Sequence, residues 1–469
     1  MDISVIICYN IHKYGYLSAS TRKCMHIVSQ FLFVVLFTVA IWQFTKKCRQ
    51  IKRNINLGRD KKITDHKSAR IKNVLLLALG QKKMFRNPLV AILHLFVYVG
   101  FIIINIEILE IILDGLLGYH RLFAGIGSVY VFLINAFEVL ALLVLVGCAI
   151  FLIRRNLVKV KRLVSSDLNG WPHDDANYIL IAEITLMSLF LIMNSCDTIL
   201  AARGVGEYVN TPATHFLISG GLHGIFNGMS SSTLIGIERT AWWLHIIGIL
   251  VFMNYLPYSK HLHIILAFPN AYYANLEPMG EMENMPDIQR EVLLAMEPES
   301  AAAAAPLAEG TEPAAPAPFG AKDIFDLNWK NLMDAYSCTE CGRCTAACPA
   351  ASTGKALSPR LIMMKTRDRV EEVGKNIQKN KAFEPDGKSL LYDYITVEEL
   401  NACTTCNACV QECPVSISPL DIILQMRRFL VMEESKAPAE WNSMFQNIEN
   451  NFAPWQFSPD DRDKWMEDA

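Results

Sequence analysis

Five apolar segments before Lys260 most strongly constrain the fold of this chain of 469 residues. Each is long enough to cross the hydrocarbon core of a bilayer as a helix, which takes roughly 20 residues. Hydrophobic residues make up 52% of the chain, which is high for a soluble protein. The sequence therefore predicts an all-α membrane domain, a bundle of five transmembrane helices. The segments are Ile27–Phe44, Leu89–Leu113, Ile126–Ile153, Tyr178–Leu200 and Ala241–Leu256.

Eight of the 13 cysteines form two copies of the spacing C-x2-C-x2-C-x3-C-P in the C-terminal part of the chain. This spacing is typical of two [4Fe–4S] clusters, in which three cysteines of a run bind one cluster and the fourth binds the other. Structural zinc is the alternative, but zinc pairs usually come as two separated C-x2-C knuckles. We therefore predict a small, mostly α-helical dicluster ferredoxin domain. The expected ligand sets are Cys338, Cys341, Cys344 with Cys413, and Cys403, Cys406, Cys409 with Cys348.

The composition divides the chain into five regions. Residues 1–24 are polar and interrupted by charges, and we expect a disordered or mis-annotated extension, with Met25 as a possible start. Residues 25–270 hold the membrane domain. Residues 271–322 form a linker whose segment Ala301–Pro318 is rich in alanine and proline. Residues 323–435 hold the cluster domain. Residues 436–469 are a polar tail with aromatic anchors, which is either folded back or an arm that docks a partner.

The loops between the apolar segments predict the orientation in the membrane. The loops after the first and third segments are rich in lysine and arginine, whereas the other two are poor in them. By the positive-inside rule, the N-terminus lies outside and the chain emerges in the cytoplasm at Lys260. Cluster thiolates also require a reducing compartment. The sequence thus predicts a multi-pass protein of the inner membrane with a cytoplasmic cluster domain. Lys+Arg 44 against Asp+Glu 46 gives no indication of a nucleic acid partner.

Histidines within or beside the apolar segments indicate haem. His94 lies near the cytoplasmic end of the second segment, and His263 follows the fifth. The 18 residues from His245 to His263 make five full helical turns, so we expect both to face one side. His261 lies away from that face, and we expect it to meet headgroups or the cytosolic domain. Imidazoles at one depth on two helices can bind b-type haem. We predict a haem between His94 and His263, with buried histidines satisfied by polar neighbours as the alternative.

A second haem at His245 stays open. The residue ten positions beyond His94 is Ile104, so no second histidine of that segment faces His245. Histidines in outer loops are possible substitutes, namely His120, His215 and His223. Several acids in the apolar segments either relay protons to a quinone or bond to neighbouring helices. They are Glu107, Glu110, Glu138, Glu183 and Asp197.

The residues named above carry a resemblance to known families. The stretch from Trp242 to His263 resembles the last helix of the cytochrome b subunit of respiratory nitrate reductase. The first and second cysteine runs resemble the ferredoxin region of the heterodisulfide-reductase-like group, which includes electron-transfer-flavoprotein:menaquinone oxidoreductases. The resemblance covers the chain from Met25 onward, apart from the linker. Members with two haems carry a histidine where this chain has Ile104, and fused members continue into cysteine-rich repeats.

The resemblance implies an electron-transfer subunit of a membrane quinone oxidoreductase. Electrons would pass between a cytosolic partner, two [4Fe–4S] clusters, haem b and menaquinone. The expected partner is a cysteine-rich iron–sulfur subunit, an electron-transfer flavoprotein, or both, with the catalytic module on another chain. The alternative is a haem-free membrane anchor whose clusters serve a partner that reduces a heterodisulfide or sulfur compound, with electrons moving in the reverse direction.

Overall fold

The computed structural model describes residues 19–211, 216–296, 318–461 and 463–467. Helices account for 72% of the structure, and no strand occurs in the described ranges. The predicted all-α fold class is therefore confirmed. The described residues form two compact units. The membrane unit comprises Met1–Lys52, Leu76–Ile265 and Thr339–Cys341, and the cluster unit comprises Arg53–Leu75, Leu266–Cys338 and Gly342–Ala469.

Five long helices are apolar and long enough to cross a membrane, as predicted. They are α1 (Ala19–Ile55), α2 (Pro88–Leu117), α3 (Ser128–Asn156), α4 (Trp171–Ala202) and α5 (Ser231–Tyr255). Most are longer than the apolar segments, and a side-chain cap begins α2 and α5. Ser230 Oγ, for example, accepts the N–H of Thr233 at 3.2 Å and starts α5 ten residues before Ala241.

Large apolar side chains fill the interior of the membrane unit. Helix α2 packs against α3, α3 against α4, and α4 against α5. Phe137 of α3, Phe190 of α4 and Ile246 of α5 are each at most 3% exposed. Phe33 of α1 packs against the ring of Trp242 with centroids 5.9 Å apart. Isoleucine, valine and leucine side chains on the outer surfaces of α1 and α2 are exposed, as expected for helices in contact with lipid.

The chain does not continue as one helix from His245 to His263. Helix α5 ends at Tyr255, two single 3₁₀ turns follow, and α6 (His263–Tyr272) begins a new helix. Ser259 between the turns is extended, and Asp175 of α4 stabilises the break by accepting the N–H of Lys260 at 3.0 Å. The prediction of five continuous turns was therefore wrong. Pro257, which has no N–H to donate, is the sequence signal for this break.

The change of direction also places His261 differently from the prediction. Its ring centroid lies 5.5 Å from that of Phe252 and 5.6 Å from that of His263. Phe101 of α2 is a third neighbour, at 6.3 Å. His261 therefore packs among the helices of the membrane unit and not against headgroups or the cluster domain.

Short helices build the cluster unit around the cysteines. One helix follows each cysteine motif, Pro359–Asn380 after the first and Pro419–Arg428 after the second, and a serine precedes the proline that begins each. Ser358 and Ser418 cap them by accepting N–H groups at 3.3 Å. The longer helices are α7 (Pro286–Met296), α8 (Trp329–Ser337), α9 (Pro359–Asn380), α10 (Pro419–Arg428) and α11 (Ala439–Asn451). The shorter ones are Lys67–Asn73, Arg343–Ala346, Pro349–Ser352, Val397–Asn401 and Ala408–Glu412.

Two of the predicted regions are only partly described. Most of the alanine- and proline-rich linker segment, and the residues before Ala19, lie outside the described ranges. In the tail, α11 exposes the side chains of Trp441, Phe445 and Ile448. Whether this aromatic face docks a partner stays a prediction.

Candidate redox site

Four cysteines from both motifs surround one pocket of the cluster unit. Cys403, Cys406 and Cys409 come from the second motif, and Cys348 from the first. These are the four residues of the second predicted ligand set. Apolar side chains complete the wall of the pocket, namely Leu357, Pro359, Leu420 and Ile423. The structure thus brings together a set of donors that come from two separate runs of the sequence.

The two motifs repeat the same local backbone. The second residue between the first two cysteines has a positive φ in both, Glu340 at 53° and Thr405 at 56°. The residue after the second cysteine does so too, Gly342 at 72° and Asn407 at 60°. These left-handed residues turn the chain sharply after each thiol, so that successive cysteines can point to one centre.

The fourth cysteine has the same extended backbone conformation in both motifs. Cys348 has φ −76° and ψ 121°, and Cys413 has φ −70° and ψ 120°. The extended conformation is the one favoured before proline, and it directs the chain away from its own motif. In each motif, the first three cysteines therefore lie in a tight turn, and the fourth lies in an extended segment that follows it.

Fewer contacts show how the cysteines of the other predicted ligand set lie relative to one another. Cys338 caps the end of α8, Cys344 lies in Arg343–Ala346, and Cys413 follows Ala408–Glu412. These last two short helices pack against each other. The Cys413 Sγ accepts the N–H of Ile417 at 3.3 Å, and Cys338 and Cys413 are buried. N–H···S bonds of this kind stabilise ligating thiolates and tune cluster potentials.

Burial makes two thiols of the pocket, those of Cys403 and Cys409, difficult to ionise without a bound cation. Loss of hydration raises the pKa of the Cys409 thiol to about 12 and also raises that of Cys403. Thr405 N–H donates to Cys403 Sγ at 3.4 Å. Arg427 adds a positive charge nearby, donating to the carbonyl oxygen of Cys403 at 2.6 Å. Four soft donors around an apolar pocket fit an iron–sulfur cluster. No motif predicted the contribution of Arg427.

The three histidines predicted to bind haem share one hydrogen-bonding arrangement. Nδ1 of His94 lies 3.0 Å from Gln81 Oε1, that of His263 lies 2.9 Å from the Lys260 carbonyl, and that of His245 lies 3.0 Å from the Leu186 carbonyl. An oxygen partner places the hydrogen on Nδ1, which leaves the lone pair of a neutral ring on Nε2. This is the tautomer in which histidine binds a metal through Nε2.

His94 and His263 share a neighbour. His261 interacts electrostatically with both, and its ring packs beside that of His263. His94, His261 and His263 therefore form one group at the same end of the membrane unit. Two histidine rings from separate helices, each with an oxygen partner at Nδ1, are the kind of donors that bind a bis-histidine haem.

Among the described residues, neither of the outer-loop histidines considered as a partner for His245 has the same hydrogen-bonding arrangement. The Nε2 of His245 is buried and has no hydrogen-bond partner among the described residues. His120 donates from Nε2 to Asp197 at 3.0 Å, and the Nε2 of His223 lies 3.0 Å from Thr198 Oγ1. Both substitutes thus use Nε2 in other bonds, and His215 lies outside the described residues.

Comparison with known proteins supports the interpretation of the cysteine motifs. Residues 337–417, which include all eight motif cysteines, match the family "4Fe-4S dicluster domain". The chain is 27% identical over 472 aligned residues to the "Probable iron-sulfur-binding oxidoreductase FadF" of Bacillus subtilis, covering 94% of this chain and 61% of that protein. It is 26% identical to the "EtfAB:quinone oxidoreductase" of Syntrophomonas wolfei, covering 94% of this chain and 58% of that protein.

A third similarity is confined to part of the chain. One subunit of the "Ferredoxin/F(420)H(2)-dependent CoB-CoM heterodisulfide reductase" of Methanosarcina acetivorans is 32% identical over 25% of this chain and 59% of its own length. No solved structure matches. The chain spans about three-fifths of the length of the two oxidoreductases that it matches over most of its own length. Five apolar helices joined to a 4Fe-4S dicluster domain, together with these relatives, indicate an iron–sulfur electron-transfer protein of a membrane.

Proposed function

We propose that this chain is the electron-transfer subunit of a membrane quinone oxidoreductase. It carries electrons between a cytosolic cysteine-rich iron–sulfur subunit or an electron-transfer flavoprotein and menaquinone. Two [4Fe–4S] clusters and one haem b serve as the carriers. The similarity to an EtfAB:quinone oxidoreductase over 94% of this chain supports the quinone and the flavoprotein partner. The catalytic module belongs to another chain in this proposal.

The pocket that contains Cys348 together with Cys403, Cys406 and Cys409 is the observation that carries the proposal. These four thiolates hold one cluster, and Cys338, Cys341, Cys344 and Cys413 hold the other. Such a cluster, when bound, accepts and releases single electrons. The chain supplies the ligands, the N–H···S bonds, and apolar side chains along part of the wall of the pocket.

His94 and His263 are the proposed axial ligands of the haem. Gln81 and the Lys260 carbonyl hold the two rings through Nδ1, and Nε2 is the atom of each ring that would bind iron. We propose one haem and not two. His120 and His223 use Nε2 in other hydrogen bonds, and Ile104 occupies the position in α2 from which a second histidine would face His245. A cytochrome b domain like that of nitrate reductase is part of this proposal.

The haem ligands can be tested on the purified full-length protein in detergent. We expect the wild type to bind about one haem per chain by pyridine haemochrome absorbance. His94→Ala and His263→Ala should each remove the low-spin haem spectrum, while the absorbance of the clusters persists. His245→Ala is the matched control, because it removes another buried histidine of the same unit and should leave the haem in place.

Two results would contradict parts of this proposal in different ways. Full haem content in His94→Ala would rule out the proposed ligand pair. A wild-type protein with two clusters and no haem would instead favour the second candidate, a haem-free anchor whose clusters serve a partner reductase. The similarity of the cluster region to part of a heterodisulfide reductase supports that candidate.

A further inference from the structure

A network of buried ionisable side chains occupies the end of the membrane unit opposite to His94. Asp114, one of its members, lies 20 residues beyond His94, roughly 30 Å along α2 at 1.5 Å per residue. The network joins α2, α3, α4 and α5 with the loops between them. Its carboxyl groups are Glu107, Glu110, Asp114, Glu138, Asp197 and Glu238, all at most 7% exposed. Its guanidinium groups are Arg121 and Arg239.

His120 does not add a positive charge to this network. Arg239 Nη2 lies 3.1 Å from His120 Nδ1, and a guanidinium can only donate. Nδ1 therefore accepts, and Nε2–H donates to Asp197 Oδ1. With His120 neutral, six ionised carboxylates would face two cations inside an apolar bundle. Burying unpaired charge costs several kcal/mol per ion, so some of these carboxyl groups must hold protons.

Five of the six carboxyl groups have donors that stabilise a negative charge. Asp114 accepts the N–H groups of Arg121 and Leu122 at 2.8 and 2.9 Å. Glu138 accepts from Asn194, Ile218 and Ser219 at 2.8–3.0 Å. Glu110 accepts from Phe123 N–H and the Tyr130 hydroxyl, Asp197 from Arg121 and His120, and Glu238 from Tyr208 and Arg239.

Glu107 is the exception. It is 3% exposed, and its Oε2 has no hydrogen-bond partner among the described residues. It precedes Glu110 by one helical turn and therefore shares its face of α2. Because Glu107 is buried to the same extent as Glu110, its carboxyl group lies in the interior of the bundle and not toward lipid. A carboxyl group without donors beside several acids is the one that keeps its proton.

Hydrogen bonds link Glu110, one helical turn beyond Glu107, to the exposed edge of the unit. Tyr130 donates to Glu110 at 2.8 Å and accepts from Arg121 at 2.9 Å, and Arg121 also pairs with Asp197. Asp197 accepts from His120, which contacts Arg239, and the Arg239 side chain is 36% exposed. Ionisable groups thus extend from the interior of the bundle to its surface.

We propose that Glu107 is a neutral carboxylic acid that supplies protons for reduction of the quinone, and that the network returns them from solvent. This inference rests on the proposed function. Reduction of a quinone to a quinol takes up two electrons, which come from the reduced donor, and two protons. For each proton, an O–H bond of Glu107 breaks and an O–H bond of the quinol forms. The carboxylate then regains a proton from the aqueous edge at His120.

The proton on Glu107 can be tested without any turnover. The infrared spectrum of the wild type should contain a carbonyl band of a protonated carboxylic acid that is missing in Glu107→Gln. Glu183→Gln is the matched control, because Glu183 is also a buried acid of the bundle but lies outside the network. It should retain the band that Glu107→Gln removes. An unchanged carboxylic acid region in Glu107→Gln would overturn the protonation of Glu107.

The role in quinone reduction needs a second measurement. Protein reduced with dithionite is mixed with menadione, and re-oxidation of the clusters is followed by absorbance. Because general acid catalysis contributes roughly 10²–10⁴-fold, we expect Glu107→Gln to slow the reaction about 100-fold. Glu107→Asp, which restores an acid, should recover part of the rate. Cluster and haem spectra equal to those of the wild type show that each variant is folded.

The two measurements separate failure of this inference from failure of the proposed function. A wild-type rate of menadione reduction in a folded Glu107→Gln protein would overturn the proton-donating role while leaving a quinone oxidoreductase intact. A wild-type protein that does not reduce menadione would contradict the proposed function. In that case the infrared spectrum still decides whether Glu107 carries a proton.

Discussion

Four thiolates around one apolar pocket repel each other and lose hydration, so they are stable together only when they bind metal. Cys348 and Cys409 are both less than 10% exposed, and Cys403 is half-buried. The pocket is therefore suited to a cluster and poorly suited to free thiols. Cys348 has a particular position in it, because it is the one member that comes from the other motif.

Replacement of Cys348 tests the exchange of ligands between the two motifs. In Cys348→Ser, we expect loss or conversion of the cluster held by Cys403, Cys406 and Cys409, since a serine oxygen is a poorer ligand for iron than a thiolate. The cluster of the first motif should remain. Electron paramagnetic resonance of the reduced protein and its iron content measure both clusters.

Cys48→Ser provides the control, since Cys48 lies in α1 outside both motifs and should leave both signals unchanged. Survival of the second-motif signal with loss of the first would show that each motif binds its own cluster.

At the scale of single residues, sequence reasoning predicted four cysteines that line one pocket, and it missed a neighbouring group that acts on that pocket. The cysteine spacing encodes which side chains meet, so the spacing by itself assigns Cys348 to the second set. Arg427 donates a hydrogen bond to the carbonyl oxygen of Cys403, which lines the same pocket. No motif around Arg427 in the sequence predicts this contact. His261 was misplaced because its position depends on a turn and not on helical spacing.

At the scale of elements, helix existence was predictable and helix continuity was not. All five long helices follow from apolar length. The break after α5 depends on Asp175, which lies on a different helix and bonds to Lys260. The polar start of α5 was missed for a related reason, because Glu238 is buried through bonds to Tyr208 and Arg239 that come from tertiary structure.

Helix α9 depends on a fully buried cation. Arg369 is 0% exposed and pairs with Asp323 at 2.7 Å and with Asp386 at 2.5 Å. Removing one partner of a buried ion pair leaves the other charges unpaired, so we expect Arg369→Met to lower the stability of the protein by about 3 kcal/mol. Thermal loss of the visible absorbance of the clusters measures this change in the full-length protein.

The control for Arg369 is Lys388→Met, which removes an exposed ion pair to Glu372 and should leave the unfolding temperature unchanged. Bonds to Arg369 also lower the pKa of Asp386. The stabilisation from this carboxylate is therefore present above the usual aspartate pKa and is lost as the pH falls through the lowered value. Equal melting of Arg369→Met and the wild type would contradict a structural role for this cation.

At the scale of the whole molecule, the last residues of α1 and the basic loop after it belong to the cluster unit. Arg59 pairs with Asp326 at 3.1 Å, and Arg53 donates to the Gly374 carbonyl at 2.8 Å. Arg70 is buried and donates to the carbonyl oxygens of Tyr272 and Ala274. Loop charges were predicted only as a signal of orientation. Three of these cations also hold parts of the cluster unit together.

The orientation itself remains a prediction that reporter fusions can test. Five spans place the two termini on opposite sides, and the positive-inside rule assigns the side of the basic loop to the cytoplasm. Alkaline phosphatase, which needs disulfides and is active only outside the cytoplasm, should be inactive when fused after Ala469 and active when fused between α2 and α3. Green fluorescent protein should give the opposite result at both positions. An active phosphatase at the C-terminus would place the clusters outside and would exclude a cytosolic electron donor.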